Sequence, residues 1–167
     1  DIGLGTGCML ISLLKEKKKW RGAGIEISNL ALRVAKTNAK IQQVYNRIKF
    51  INSDIDKIYS GKYDLIVTNP PYINSIDYNN LNSGVKNFEP KMALYGGRDG
   101  LDIIEKVIRK SKLILKNNGL IAIEIGLGQH YNVAKLLEKN DFYIFKTIKD
   151  YQKIKRCILA KKINEKF

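Results

Sequence analysis

Asp1-Ile2-Gly3-Leu4-Gly5-Thr6-Gly7, followed at once by the apolar run Cys8-Met9-Leu10-Ile11-Ser12-Leu13-Leu14, is the stretch that decides the fold. Asp1-Ile2 reads as the end of a strand, the three glycines as a loop, and residues 8–17 as a helix. Glycines between a strand and a helix let the backbone turn tightly and come close to a ligand. Working outward, residues 23–27 read as a short strand, and Ser28 as the N-cap of a helix running to about residue 40. In that helix Leu30 and Val34, and Ala31 and Ala35, recur at helical spacing.

Glu26 ends the strand that follows the loop helix, where an acidic side chain can accept hydrogen bonds from two ribose hydroxyls. Loop and acid together imply a nucleoside-containing cofactor without separating a nicotinamide dinucleotide from S-adenosylmethionine, and a tight strand-to-helix turn is the lesser, purely structural reading of the glycines. Residues 47–52 and 63–68 read as further strands; the second, Tyr63-Asp64-Leu65-Ile66-Val67-Thr68, is nearly all apolar, as a strand covered on both faces must be. Ser53-Asp54 then falls on the carboxyl-end rim of the sheet, where ligands bind. Asp54 there can hold an adenine amine with Ile55 against the ring, or simply cap a turn.

Residues 69–98 are irregular and rich in Asn, Gly, Pro and Tyr, a length that is usually functional inside a compact domain. A helix over 101–116, with Leu101, Ile104, Ile108 and Leu115 on one face, leads through Asn117-Asn118-Gly119 into a strand over 120–125. A helix over 131–139 and strands over 142–149 and 155–161 complete the chain. Strands alternating with helices predict a mainly parallel sheet with helices on both faces. The last two strands, with no helix between them, predict an antiparallel hairpin at one edge.

Asn69-Pro70-Pro71-Tyr72 comes directly after the buried strand. Two prolines end a strand by fixing φ, but that leaves Asn69 and Tyr72 unexplained. The Asn69 side-chain oxygen and the Pro70 carbonyl can both accept hydrogen bonds from one planar NH₂ group, while Tyr72 stacks on the face of the group carrying it. An amide or aniline-like nitrogen is a poor nucleophile because its lone pair is delocalised. Two acceptors on its hydrogens raise its electron density and aim it at an electrophile. The substituted nitrogen is acidic enough to lose its proton to water, so no strong base is required, and His130 reads as a helix-start residue.

Composition bounds these readings. The 167 residues, 44% hydrophobic, suffice for one sizeable core. The apolar runs at 8–14 and 120–125 fall far short of the roughly 20 residues of a membrane helix. The two cysteines, Cys8 and Cys157, have neither metal-ligand spacing nor a disulfide framework. No membrane association, no metal and a cytoplasmic setting are therefore expected. Thirty Lys and Arg against 16 Asp and Glu give a net charge of +14. That balance points toward the ribosome, RNA or an acidic partner, although lysines spread among Ile and Asn also fit a general compositional bias.

Taken together, the chain resembles a known family over nearly its whole length. Asp1 to Gly7 looks like methyltransferase motif I, and Glu26, Ser53-Asp54 and Asn69-Pro70-Pro71-Tyr72 follow in the family order. Phe88-Glu89-Pro90, Ala93-Leu94-Tyr95-Gly96-Gly97-Arg98-Asp99-Gly100-Leu101 and Ala122-Ile123-Glu124-Ile125-Gly126, with Gln129, are similar to the protein-(glutamine-N5) methyltransferases of peptide chain release factors. The resemblance implies a Rossmann-like class I methyltransferase fold, mainly a parallel seven-stranded sheet with an antiparallel C-terminal strand, its first strand mostly missing here. It implies that residues 1–167 are the catalytic domain, without the N-terminal helical domain that helps dock the release factor. It implies S-adenosylmethionine at Gly3, Leu4, Gly5, Thr6, Gly7, Glu26, Asp54, Ile55 and Asn69. The glutamine of a Gly-Gly-Gln loop is then expected at Asn69, Pro70, Pro71 and Tyr72, with Asn69, Pro70 and Tyr72 catalytic. Leu4 departs from the usual Thr, which removes a hydroxyl but not the turn. The tetrapeptide is shared with adenine-N6 methyltransferases of RNA or DNA, which remain an alternative, as does a ribosomal-protein glutamine.

Overall fold

The computed structural model describes residues 1–86 and 88–163. The chain divides into two compact units, Asp1–Ile58 and Tyr59–Phe167.

In the first unit, helix α1 (Cys8–Glu16) follows the glycine loop, strand β1 (Gly22–Glu26) follows it, and helix α2 (Asn29–Ile41) crosses over to strand β2 (Ile48–Asn52). β1 and β2 pair in parallel, and Ile2 makes a single parallel bridge to Ile25 on β1. Ser28 caps α2 as expected, its hydroxyl accepting from the Ala31 N–H. The buried face of α2 differs from the spacing first read. Leu30 and Val34 are 70% and 40% exposed, and Leu32, Ala35 and Ala39 face inward. Two alanines on that face put little bulk between the helix and its neighbours, and they join Leu4, Leu10, Ile11, Leu14 and Val44 in one core cluster.

The end of α1 is closed by a residue outside it. The Arg47 guanidinium donates to the carbonyls of Leu14 (2.8 Å), Lys17 (3.1 Å), Lys18 (3.1 Å) and Trp20 (3.2 Å). A helix leaves its last carbonyls without partners, and a cation there also opposes the negative end of the helix dipole.

In the second unit, strand β3 (Tyr63–Thr68) is followed by three short helices, α3 (Ser75–Asn79), α4 (Ser83–Lys86) and α5 (Lys91–Leu94). Helix α6 (Asp102–Ile114), strand β4 (Leu115–Glu124), helix α7 (His130–Lys139), and strands β5 (Phe142–Lys149) and β6 (Lys155–Lys162) complete it. The sheet order is β3-β4-β6-β5, with β3 and β4 parallel and β6 antiparallel to both its neighbours. The expected edge hairpin and antiparallel last strand are therefore present. Six strands lie among the described residues, in sheets of two and four. The resemblance implied seven, and Asp1–Gly3 contributes only the bridge at Ile2.

Three expectations are corrected here. Helix α6 buries Ile104, Val107, Ile108, Ser111 and Ile114, and neither Leu101 nor Leu115 belongs to it. Leu115 already pairs with Tyr63, so Asn117-Asn118-Gly119 forms an irregularity inside β4, with Asn118 at φ 62°, before Leu120 resumes pairing opposite Leu65. The stretch 69–98 is also not wholly irregular, since it carries α3, α4 and α5. No helix among the described residues is long and apolar enough to cross a membrane.

Arg47→Met keeps the side-chain bulk and removes the closure of α1. It should cost about 1–2 kcal/mol, the lower part of the range for hydrogen bonds to a charged group because three of the four bonds are exposed. The single tryptophan, Trp20, lies at this junction. Urea unfolding followed by its fluorescence should show a lower midpoint for the variant, and an unchanged midpoint would remove Arg47 from the stability of this unit.

Candidate functional site

The first unit gathers the glycine loop, Glu26 and the 53–54 segment. Gly3, Gly5 and Gly7 all have positive φ, and around Gly3 and Gly5 an added Cβ would meet nothing within 4 Å. Those two positions are open on the side where a ligand would approach. Gly7 differs, since a Cβ there would lie 2.9 Å from Ile11 and 3.3 Å from Ala35, so its role is packing. Leu4 is buried in the core and donates its N–H to the Ile25 carbonyl (3.0 Å), while Thr6 is exposed and its carbonyl accepts from Asn38 (2.9 Å).

Glu26 is 9% exposed and both its oxygens are engaged by backbone donors, Oε2 by Gly5 N–H (2.7 Å) and Oε1 by Ser28 N–H (2.8 Å). The carboxylate thus ties the glycine loop to the start of α2. A carboxylate offers about four lone-pair directions, so half its capacity remains. The Glu26 carbonyl in turn accepts from Ser53 N–H (3.1 Å) and from the Asn52 amide (2.9 Å), which fixes the segment leading to Asp54. Asp54 caps the following 3-10 turn through the Asp56 N–H (2.8 Å), and Ile55 is buried.

In the second unit the tetrapeptide leaves β3 with Pro70 buried, Pro71 and Tyr72 partly buried, and Asn69 exposed. Neither the Asn69 side-chain oxygen nor the Pro70 carbonyl accepts a hydrogen bond among the described residues. Tyr72 contrasts with them. Its hydroxyl reaches Glu124 Oε1 at 3.4 Å, and its carbonyl accepts from Gln129 Nε2 at 3.0 Å. Burial, then the Glu124 charge, raise the Tyr72 phenol above its ordinary pKa, so it stays protonated at neutral pH.

The segment 94–102 packs back on this exit. Ile73 N–H donates to Leu94 O (3.0 Å), Gly96 N–H to Ile73 O (2.9 Å), and the Ser75 and Tyr95 hydroxyls lie 2.9 Å apart. A Cβ on Gly96 would fall 2.6 Å from the Pro71 carbonyl oxygen, and one on Gly100 only 2.3 Å from that of Tyr72. Glycine is required at both places for close approach. The sequence singled out Asn69 to Tyr72, but gave Glu124, Gln129, Gly96 and Gly100 no place in the site. Their only signal was membership of motif-like segments. His130, by contrast, opens α7 and pairs with Thr147 Oγ1 at 3.0 Å.

Sequence and structure comparisons agree with this picture. The Methyltransferase small domain family matches residues 1–83. The release factor glutamine methyltransferase of Fusobacterium nucleatum is 39% identical over 166 residues, covering 97% of this chain and 46% of the relative. That of Rhodospirillum rubrum is 39% identical over 162 residues, covering 97% and 50%. Among solved structures, the ribosomal protein L11 methylase of Lactobacillus delbrueckii superposes with a TM-score of 0.70 at 19% identity, over 97% of this chain and 68% of that one, a likeness of fold alone. The fold is that of the Rossmann-like class I methyltransferases. By sequence the chain is similar to the release factor glutamine methyltransferases over nearly all of its length, and it spans about half the length of the curated relatives it matches.

Gly100 and Gly128 allow the close approach to Tyr72 to be measured. Both have positive φ, but only Gly100 has backbone against it, while Gly128 has nothing within 4 Å. Gly128→Ala should cost about 1–3 kcal/mol for a left-handed alanine. Gly100→Ala should cost clearly more in the same thermal or urea unfolding series. Equal losses would show that the tetrapeptide exit yields without resistance.

Proposed function

We propose that this chain transfers a methyl group from S-adenosylmethionine to the side-chain amide nitrogen of the glutamine in the Gly-Gly-Gln loop of peptide chain release factors, with residues 1–167 acting as its catalytic domain. The observation carrying this reading is the pair of acceptors without a donor among the described residues, Asn69 Oδ1 and Pro70 O, beside a Tyr72 held at both its hydroxyl and its carbonyl. Names of relatives that together span the chain support the same reaction.

The residues of the first unit fit an adenosyl group. Gly3 and Gly5 leave open space over backbone with positive φ. Leu4, Thr6 and Gly7 continue that backbone cradle, and Glu26 retains acceptor capacity for ribose hydroxyls. Asp54 would take the adenine amine, with Ile55 against the ring. When bound, the cofactor supplies an electrophilic methyl on a sulfonium sulfur.

Asn69 and Pro70 accept the two hydrogens of the amide NH₂, and Tyr72 stacks on the amide plane, with Pro71 completing the rigid turn. These contacts raise electron density on the nitrogen and hold its lone pair in one direction. The N–C bond forms as the S–C bond breaks, and the nitrogen's proton passes to water. No side chain need act as a strong base. The +14 charge fits work near the ribosome or its RNA, and a cytoplasmic setting follows from that partner.

Asn69→Ala should lower turnover by about 10²–10³, as loss of one preorganised polar group does, with cofactor affinity by calorimetry changing much less. The assay follows labelled methyl into a purified release factor, with total RNA alongside. Label in RNA and none in the factor would replace this reading by adenine methylation. Glu26→Ala should weaken cofactor binding by about 1.5–3 kcal/mol. Glu26→Gln should be no milder. Both oxygens already accept backbone N–H groups, so the introduced NH₂ must face a donor whichever way it turns. Unchanged affinity in both variants would take Glu26 out of the cofactor site.

A further inference from the structure

Gln129 stands at the N-cap position of α7, yet its side chain does not cap that helix. Its amide is spent on three other segments. Nε2 donates to the carbonyls of Tyr72 (3.0 Å) and Gly100 (3.1 Å), and Oε1 accepts the Gly126 N–H (2.9 Å). These are the tetrapeptide, the glycine-rich segment packed over it, and the exit of β4. Both donor hydrogens and one acceptor of the amide are therefore used, and the amide's orientation is set by its neighbours. Gly126 lies against the Tyr72 ring as well, since a Cβ there would be 3.0 Å from Tyr72 Cδ2.

From this geometry we propose that Gln129 is a positioning residue for methyl transfer, setting Tyr72 through its main-chain carbonyl. It rests on the reading of Asn69 to Tyr72 as the amide-binding segment. Pro70 and Pro71 have no N–H, so donors from outside must hold the tetrapeptide exit. Gln129 supplies the one that reaches Tyr72 itself. With Tyr72 O and Gly100 O both bound by one NH₂ group, the Tyr72 main chain cannot shift relative to Gly100 without breaking one of these bonds, and the backbone so fixed sets the point from which the ring reaches Glu124. A misplacement of the stacking ring is costly, because a shift of about 1 Å in a positioning group can lose on the order of a hundredfold in rate.

The test uses the full chain and two variants of matched size. Q129M removes all three hydrogen bonds. Q129E keeps an acceptor for Gly126 N–H but turns a carboxylate oxygen toward two carbonyl oxygens. That repulsion holds the introduced carboxyl above its ordinary pKa. Its neutral form, which has one O–H to donate, dominates below that value and is lost as pH rises through it. Turnover is measured from pH 5.5 to 8, well below the melting temperature of every variant, with cofactor affinity by calorimetry. We expect Q129M and Q129E to lower turnover at pH 8 by about tenfold or more, with cofactor affinity within about twofold of the parent. The ratio of Q129E to parent should rise as pH falls, whereas that of Q129M stays flat.

Parental turnover in both variants overturns the inference. So does a loss that follows the melting temperature in both variants with the same pH dependence, which is what a purely structural link would give. Failure of the underlying function looks different, since the parent itself would then leave the factor unlabelled. If RNA takes the label instead, the same two pH profiles on that substrate decide the role of Gln129.

Discussion

Two consecutive prolines at the end of a buried strand set the terms for the second unit. Pro70 and Pro71 remove two backbone donors where β3 leaves the sheet, so this stretch cannot bond outward through its own N–H groups. Whatever holds it must donate to it or grip the residues just beyond. Ile73 N–H reaches Leu94 O, Gly96 N–H reaches Ile73 O, and Gln129 reaches Tyr72 O. Two glycines bring the covering segment close enough for this to happen. The result is a rigid exit in which Asn69 Oδ1 and Pro70 O accept no hydrogen bond among the described residues.

The first unit solves a similar problem with a charge. A turn with three glycines of positive φ has little to restrain it. Glu26 restrains it by accepting from Gly5 and from Ser28 at once, so one buried carboxylate positions both the loop and the start of α2. A charge-assisted bond of 2.7 Å to a backbone N–H is among the stronger neutral-donor bonds available. The acid is thus part of the loop's architecture before any ligand arrives.

Long apolar runs were legible, and contacts made through space were not. β3 and β5 fall on the residues expected, and Ser28 caps α2, because unbroken hydrophobic runs and N-cap chemistry are local signals. In α2 the sequence offered Leu30 with Val34 and Ala31 with Ala35, and of these only Ala35 is buried, beside Leu32 and Ala39. Periodicity alone could not choose between two stripes of the same helix. Asn117-Asn118-Gly119 carries turn chemistry, but pairing of Leu115 with Tyr63 draws it inside β4. Helices of four or five residues, such as α3 to α5, are too short to show a period. The glycine loop, Glu26 and the tetrapeptide were visible as motifs. Arg47, which closes α1, and Gln129, which reaches Tyr72 and Gly100 across 57 and 29 residues, had no local signature.

The fastening at Gln129 is made of neutral groups, an amide to two carbonyls and one N–H. Mobile ions screen charges and leave such bonds nearly untouched. The rest of the surface is the opposite, with a net charge of +14 whose attraction for an acidic partner weakens as salt is added. Ionic strength therefore acts on the encounter of this basic chain with any acidic surface while leaving the geometry around Tyr72 as it was. In kinetic terms, salt should depress the apparent second-order rate constant and spare the rate from the assembled complex.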